Sequence, residues 1–392
     1  MKYLSPLLIL LIIIVAFSCK PRNKNGNSNN VKDTCNSITE QCRINPYDTF
    51  SYTAYNDIAC FIAGNPLHNK ESFLSAYFDN KHWKNYAMQF TSNWNTYNNS
   101  VISVIQQWSN EHLVYGDTIF YPFSGPDYNY LNAFFPQAKY AVLIGLESAG
   151  SIPEPDTVTT DSLANYLDAI QNSIYFNLKV SFFRTKSMKN ELNSVTLNGT
   201  IPIIMLFLNR HGKEILNIHP VELDGLGNII KTSPDLEFVH DFHKEFDNGV
   251  IFIYRDTTDS TIKKLVYFSM DLSNSGLKDR NQKLVQNVSK NNTVFLKAAS
   301  YLCFQNMFTT VKSAILNNAS QIITDPSGIP YINLRDTWDV TLHGEYSGPI
   351  ALFSGRKQEE LLRDIDSLKP ARLPFKFGYH PVHWCMIVAN RK

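Results

Sequence analysis

Two carboxylates frame the most unusual stretch of the chain. Asp127 stands in Ser124-Gly125-Pro126-Asp127 among the rings of Phe120 to Phe135, and Glu147 follows the apolar run Tyr140–Ile144 and its terminating Gly145. A carboxyl group desolvated by aromatic neighbours holds its proton more tightly, which suits a general acid. The competing role for Asp127 is structural, because Asp after Gly-Pro is a turn or N-cap residue whose oxygen takes up backbone N–H groups. His240 and His243, in Val-His-Asp-Phe-His, are the bases or ligands that such an acid would need. Residues three apart point to opposite faces of a strand, so His240 with His243, or His380 with His383, could chelate only from a helix or loop.

Other chemistries fail on spacing. Gly145-Leu-Glu-Ser148-Ala-Gly150 is one residue too long for the G-x-S-x-G elbow, and Pro153 and Pro155 follow where a helix should begin. Neither H-E-x-x-H nor C-x-x-C occurs, so no metal and no cofactor is expected. With no glycine-rich phosphate loop, no nucleotide is expected either. The rings of Tyr121, Phe123, Tyr128 and Tyr130 are candidates to line a ligand cleft.

The elements that must position these groups follow from periodicity. Ile119 to Gly150 reads as a strand, a tightly folded crossing rich in Pro and Gly, and a buried strand at the centre of a core. Before it, Trp83, Ala87, Phe90, Trp94, Tyr97, Val101, Val104 and Trp108 keep spacings of three and four within a long amphipathic helix over 65–112. A second helix opens at Asp161-Ser162. A third opens at Thr200-Ile201-Pro202, with Thr200 as N-cap, Pro in the first turn and Gly212 as the stop. Strand patterns follow over 214–223, 250–255 and 264–270, the last two facing each other across a hairpin loop. Residues 322–331 read as strand, turn and strand, with Asp325-Pro326-Ser327-Gly328 fitting a type I turn. Helices and strands mix without a βαβ rhythm. The fold class expected is α+β: one mixed domain over 47–392, with the long N-terminal amphipathic helix and a mainly antiparallel sheet.

The chain has 392 residues, 44% hydrophobic and 13% aromatic, which is ample for a core, and its net charge of +1 argues against a nucleic-acid partner. Residues 1–18 carry Lys2, an apolar run from Leu7 to Phe17 that is too short for a comfortable bilayer span, and Ser18 before Cys19. Ala16-Phe17-Ser18-Cys19 resembles the lipobox of bacterial lipoproteins, with Ala16 where that pattern prefers Leu. The resemblance implies a cleaved signal peptide, a lipidated Cys19 as first mature residue and a membrane partner through that lipid. Residues 19–46, rich in Asn, Lys, Ser and Gly, read as a flexible polar tether. Lys20 rather than Asp resembles a sorting signal for the outer membrane, facing the periplasm. Cys35 and Cys42 are close enough in an exported segment to form a loop-closing disulfide. Cys60, Cys303 and Cys385 sit in apolar contexts and leave an odd count.

Four short pieces, IFYPFSGPD, FLKAASY, DPSGIPY and LPFKFGY, resemble motifs of an exported protein family without an assigned activity, and no catalytic role carries over from it. Two functions are therefore expected from different classes. The first is an envelope lipoprotein binding a glycan, peptide or protein through an aromatic-lined cleft. The second is a hydrolase of envelope material, with Asp127 or Glu147 as acid and His240 or His243 as base or ligand. Changing Cys19 to Ala should block acylation and leave the protein unprocessed or released, as fractionation would show. Fully membrane-bound, normally processed protein from that variant would overturn the reading of the N-terminus.

Overall fold

Five parallel strands that are buried on both faces form the middle of the sheet. The computed structural model describes residues 49–392 apart from 68–70, 155–157, 160, 181–192, 195–196 and 233–248. The helices are α1 (Thr49–Ala63), α2 (Ser75–Phe78), α3 (Lys81–Tyr97), α4 (Ser103–His112), α5 (Tyr128–Phe134), α6 (Leu163–Val180), α7 (Ile201–Arg210), α8 (Asp279–Ser289), α9 (Thr309–Asn318) and α10 (Glu359–Leu368). The strands are β1 (Thr118–Tyr121), β2 (Tyr140–Gly145), β3 (Asn193–Ser194), β4 (Leu197–Asn198), β5 (Lys213–Leu223), β6 (Ile229–Lys231), β7 (Gly249–Asp256), β8 (Ile262–Ser269), β9 (Thr293–Leu296), β10 (Gln321–Thr324), β11 (Trp338–Gly344) and β12 (Cys385–Arg391).

Among the described residues, ten strands make one sheet in the order β11-β12-β10-β9-β1-β2-β8-β7-β5-β6, while β3 and β4 pair separately. From β10 to β8 all neighbours are parallel, and the flanking pairs are antiparallel. The chain mixes helices and strands as expected, but the sheet is mixed rather than mainly antiparallel, which corrects that part of the expectation. The reason is legible in β1, β9 and β10, where every residue is buried. A parallel strand covered on both faces is a continuous apolar run without alternation, and such runs do not announce their direction.

Alternate residues of each strand feed two cores. Ala141 and Leu143 of β2 face the core shared with α1, α3, α4, α5, α6 and α7, and Val142 and Ile144 face the core shared with α8, α9 and α10. Along the chain the parallel strands run β1, β2, β8, β9, β10, so their order across the sheet is 3-2-1-4-5, the winding of open doubly wound sheets. After β1 the chain moves to β2 on one side, and after β9 it moves to β10 on the other. Winding therefore reverses between β1 and β9.

The helical run before β1 starts at Lys81, not at Asn65. Asn80 sets that start by accepting a hydrogen bond from the His82 N–H (2.8 Å). It passes through a π-turn at Asn98–Ile102 into α4 and buries Trp83, Tyr86, Phe90, Trp94 and Tyr97 on one stripe. Thr200 precedes α7 but makes no side-chain cap bond; its backbone N–H donates instead to Ala149 O (2.9 Å). After β10, Tyr331–Asn333 is a 3₁₀ turn rather than a strand, while the type I turn closes through Gly328 N–H to Asp325 O (3.2 Å). Cys19, Cys35 and Cys42 lie outside the described residues; Cys60, Cys303 and Cys385 are free, buried thiols.

Trp94→Ala on the inner stripe should cost about 3–5 kcal/mol of unfolding free energy. Met88→Ala, at a position 66% exposed on the same helix, should stay within about 0.5 kcal/mol. Equal urea midpoints for the two variants would contradict the orientation of α3.

Candidate site at the carboxyl ends of the parallel strands

The turn leaving β1 is built around Asp127. Phe123 and Gly125 both take left-handed backbone (φ 60° and 58°), which lets the chain reverse sharply out of the strand. Asp127 caps α5: its Oδ1 accepts from the Tyr130 backbone N–H (3.2 Å) and from Asn177 Nδ2 (3.0 Å). Its Oδ2 accepts from Tyr121 Oη (2.9 Å) and from Lys297 Nζ (3.4 Å). All four lone-pair positions of the carboxylate are thus engaged, on a residue only 2% exposed. Lys297 follows β9, its side chain is fully buried, and its ammonium sits 3.8 Å from the centroid of the Tyr130 ring. Burial pushes the Lys297 pKa down, and Asp127 opposes that. Behind the pair, Asn129 Nδ2 donates to Tyr97 Oη (2.8 Å) and Asn177 Oδ1 (2.9 Å), and Asn129 Oδ1 pairs with His211 Nε2 (2.9 Å). Burial lowers the His211 pKa to about 3, so this imidazole stays neutral.

The loop after β9 is strained. Ala298, Ser300 and Tyr301 all hold positive φ near 55°, each costing about 1–2 kcal/mol for a residue with a Cβ. Asp325 and Ser327, after β10, hold it in place. Asp325 Oδ1 accepts from Ala298 N–H (3.2 Å), Ser327 Oγ accepts from Ala299 N–H (2.9 Å), and Ser327 O accepts from Tyr301 N–H (2.9 Å). Tyr379 Oη donates to Ala298 O (2.5 Å) and lies 2.6 Å from Ser300 Oγ. Gly378 lets this last segment approach: a Cβ there would stand 2.4 Å from Asp325 Oδ2, and its φ is 82°. Burial raises the Asp325 pKa to about 6 against the pull of Ser327 and Ala298.

The four short pieces singled out in the sequence therefore meet. Asp127, Lys297, Asp325 and Gly378-Tyr379 come from four separate segments and converge on the edge where the winding reverses. Outward of Asp325 lies an aromatic crevice formed by Tyr301, Tyr346, Phe377, Tyr379, His380 and His383. Its free volume of about 20 Å³ holds roughly one water, so a ligand must part its walls.

The expected residues fall into place unevenly. Tyr121, Tyr128 and Tyr130 are 1% exposed and pack in the core, so their rings do not line an open cleft; Phe123 is half-buried against Phe308. Glu147 lies two residues past β2 at 5% exposure, its Oε2 accepting from Leu146 N–H (3.1 Å). His240 and His243 lie outside the described residues, and so does their separation from Asp127. His380 Nδ1 accepts from His383 N–H (2.8 Å), and His383 Nδ1 pairs with Glu345 (3.1 Å), so these two rings brace a turn. Among the described residues no group of three His, Cys, Asp or Glu side chains is placed to hold a metal. Lys297, Ser300, Tyr301 and Tyr379 escaped the sequence reading. The one signal was a lysine closing the apolar run Thr293–Leu296, a position where burial demands an anion.

A larger cleft of about 680 Å³ opens at the opposite, amino edge, walled by Asn56, Asn65, Asn209, Lys213 and Glu214. Its polar walls are bonded to protein: Asn65 to Asn209 (2.6 Å), Asn56 to Ile215, Glu214 to Arg255 (2.5 Å), and Lys213 to Asp256. Compared with family models, with curated proteins and with solved structures, the chain matches none.

Two outcomes follow. Asp127→Asn keeps the cap acceptor but strands Lys297, so it should cost about 3–5 kcal/mol, and Asp127→Asn with Lys297→Met should recover part of that loss. A silent Asp127→Asn in urea unfolding would show that the ion pair is dispensable. Asp325 binds its proton more tightly folded (about 6) than free (3.8). Its stabilising contribution is therefore full below about pH 4 and lost as pH rises through 6, on the order of 2–3 kcal/mol. Stability relative to Asp325→Asn should fall by that amount between pH 4 and 7; a pH-independent difference would refute the buried acid.

Proposed function

We propose that this chain is an envelope lipoprotein, tethered by lipid on Cys19, that binds a small polar ligand carrying a ring at the carboxyl edge of its parallel sheet. The observation that supports this reading most is the convergence of four segments on that edge, with strained backbone on both sides of the reversal point. Open α/β sheets take their ligands there, because loops leaving neighbouring strands to opposite faces leave a crevice between them. Strain held by surrounding bonds is typical of sites whose geometry is set before the ligand arrives. In this reading the ring stacks among Tyr301, Tyr346 and Tyr379, and Asp325 supplies the polar contact. In this reading the aromatic lining comes from Tyr301, Tyr346 and Tyr379 instead of Tyr121, Phe123, Tyr128 and Tyr130. Glycan, peptide and protein partners are all compatible with rings and a carboxyl group, and a small ligand suits the crevice best.

A hydrolytic reading has one observation in its favour. Asp325, with a pKa about 6, lies beside a pair of hydroxyls, Ser300 and Tyr379. Asp127 is committed to capping and to Lys297, so the acid in that reading is Asp325.

The test is a melting-temperature screen of the full chain in detergent against chitin oligosaccharides, short peptides and nucleosides. At least one class should raise the melting temperature, and Ile350→Trp, which enlarges a residue that also lines the crevice, should weaken that ligand at least tenfold by calorimetry. No response from any class, or binding indifferent to Ile350→Trp, would overturn the crevice as the site.

A further inference from the structure

The groups around Asp325 select the charge of the ligand, on the premise that the crevice at the carboxyl edge binds a small molecule. Asp325 is one of the residues lining that crevice, and it is buried. Its carboxyl accepts from Ala298 N–H (3.2 Å) and from Ser327 Oγ (2.8 and 2.9 Å), which are neutral donors. The basic group that acts on it is Lys297, whose ammonium is bonded to Asp127 and rests over the Tyr130 ring. A buried carboxyl bonded by neutral donors holds its proton, and burial carries this one up to about 6. A cation delivered to the crevice would replace that proton and pair the charge.

The rings beside Asp325 favour the same sign. Tyr301 and Tyr379 both pack on Phe353, with ring centroids 5.0 and 5.3 Å apart, so the three make one continuous wall. Tyr379 Oη is bonded to Ala298 O, and Tyr346 Oη accepts from Gln358 N–H (3.1 Å), so both rings are fixed at their hydroxyl ends. The faces of such rings carry partial negative charge and attract cations. Basic groups at the rim are engaged elsewhere: Arg372 and His383 both bond Glu345 (2.5 and 3.1 Å). Burial and the neighbouring His383 lower the His380 pKa, which keeps that ring neutral. An anionic ligand would therefore meet a carboxyl group and ring faces, while a cation would be favoured by both. Size narrows the cation. The space already open against Asp325, about 20 Å³, is that of one water, which a primary ammonium matches and a trimethylated one exceeds. We infer that the crevice takes a primary amine carried near an aromatic ring, with the ammonium against Asp325 and the ring among Tyr301, Tyr346 and Tyr379.

The experiment titrates the full chain in detergent at neutral pH with phenylethylamine, phenylethanol and phenylacetate, by calorimetry. The three probes share a ring and a similar size and differ in charge. The amine should bind about tenfold or more tightly than the alcohol, with phenylacetate weakest. Phenylalanyl-glycine separates two sources of such an amine: tighter binding than phenylethylamine assigns a peptide amino terminus, and weaker binding assigns a free amine. Acetylating its amino group should remove its affinity in either case. Asp325→Asn should bring the amine to within about twofold of the alcohol and leave the alcohol unchanged, whereas a merely structural role would weaken both alike. The wild-type comparison needs no variant, so it decides the matter if Asp325→Asn fails to fold. Alcohol or phenylacetate binding as tightly as the amine, or an amine preference that survives Asp325→Asn, would overturn the inference. If a neutral glycan or nucleoside binds in an Ile350-dependent way while the amine does not, the crevice reading stands and this inference falls. If the amine binds but ignores Ile350→Trp, both fall.

Discussion

The buried ion pair between Asp127 and Lys297 is the constraint on which this edge of the molecule rests. β1 and β9 are neighbours in the sheet, paired at Ile119–Thr293 and Phe120–Val294, yet the chain leaves them toward opposite faces, so the ladder does not reach the segments that follow them. A lysine whose side chain is wholly buried costs several kcal/mol unless an anion meets it. Asp127 is that anion, and it is held in place by the helix it caps and by Tyr121 and Asn177. One carboxylate thus couples the first strand, the first crossing helix, helix α6 and the loop after β9. Loss of any partner would leave another buried polar group to find water, which ties local folding of four segments to one event.

Around that pair the protein keeps backbone in conformations it would not adopt alone. Four side-chain-bearing residues at this edge, Phe123, Ala298, Ser300 and Tyr301, hold positive φ. The bonds that fix them come from the segment after β10 and from Tyr379, across long loops in sequence. Such an arrangement is stable only because several hydrogen bonds from rigid strand ends act together. It presents a fixed set of groups rather than a flexible loop, which is how a site avoids the entropy of ordering itself on binding.

The two edges of the sheet differ in kind. At the amino edge, Lys213 and Lys263 share Asp256, Glu214 holds Arg255, and the open cleft beside them is walled by amides bonded to protein. At the carboxyl edge the open volume is small, but a carboxyl group with a raised pKa, paired hydroxyls and strained backbone are concentrated there. Size alone would choose the first; chemistry and winding choose the second.

By itself the sequence determined the local elements. The strand–crossing–strand unit of residues 119–150, the aromatic stripe of α3, the apolar helix after Thr200 and the turn at Asp325 follow from spacing, proline and glycine placement, and capping preferences, which act over a few residues. Asp127 as a cap was legible for the same reason. Only the tertiary structure decided that the central strands are parallel, because a strand buried on both faces has no alternation to reveal its neighbours. Only the fold could join Asp127 to Lys297, 170 residues apart, or bring Gly378 against Asp325. The rings of Tyr121, Tyr128 and Tyr130 look the same in sequence whether they line a cleft or fill a core, since composition records apolar area but not which side of it meets water.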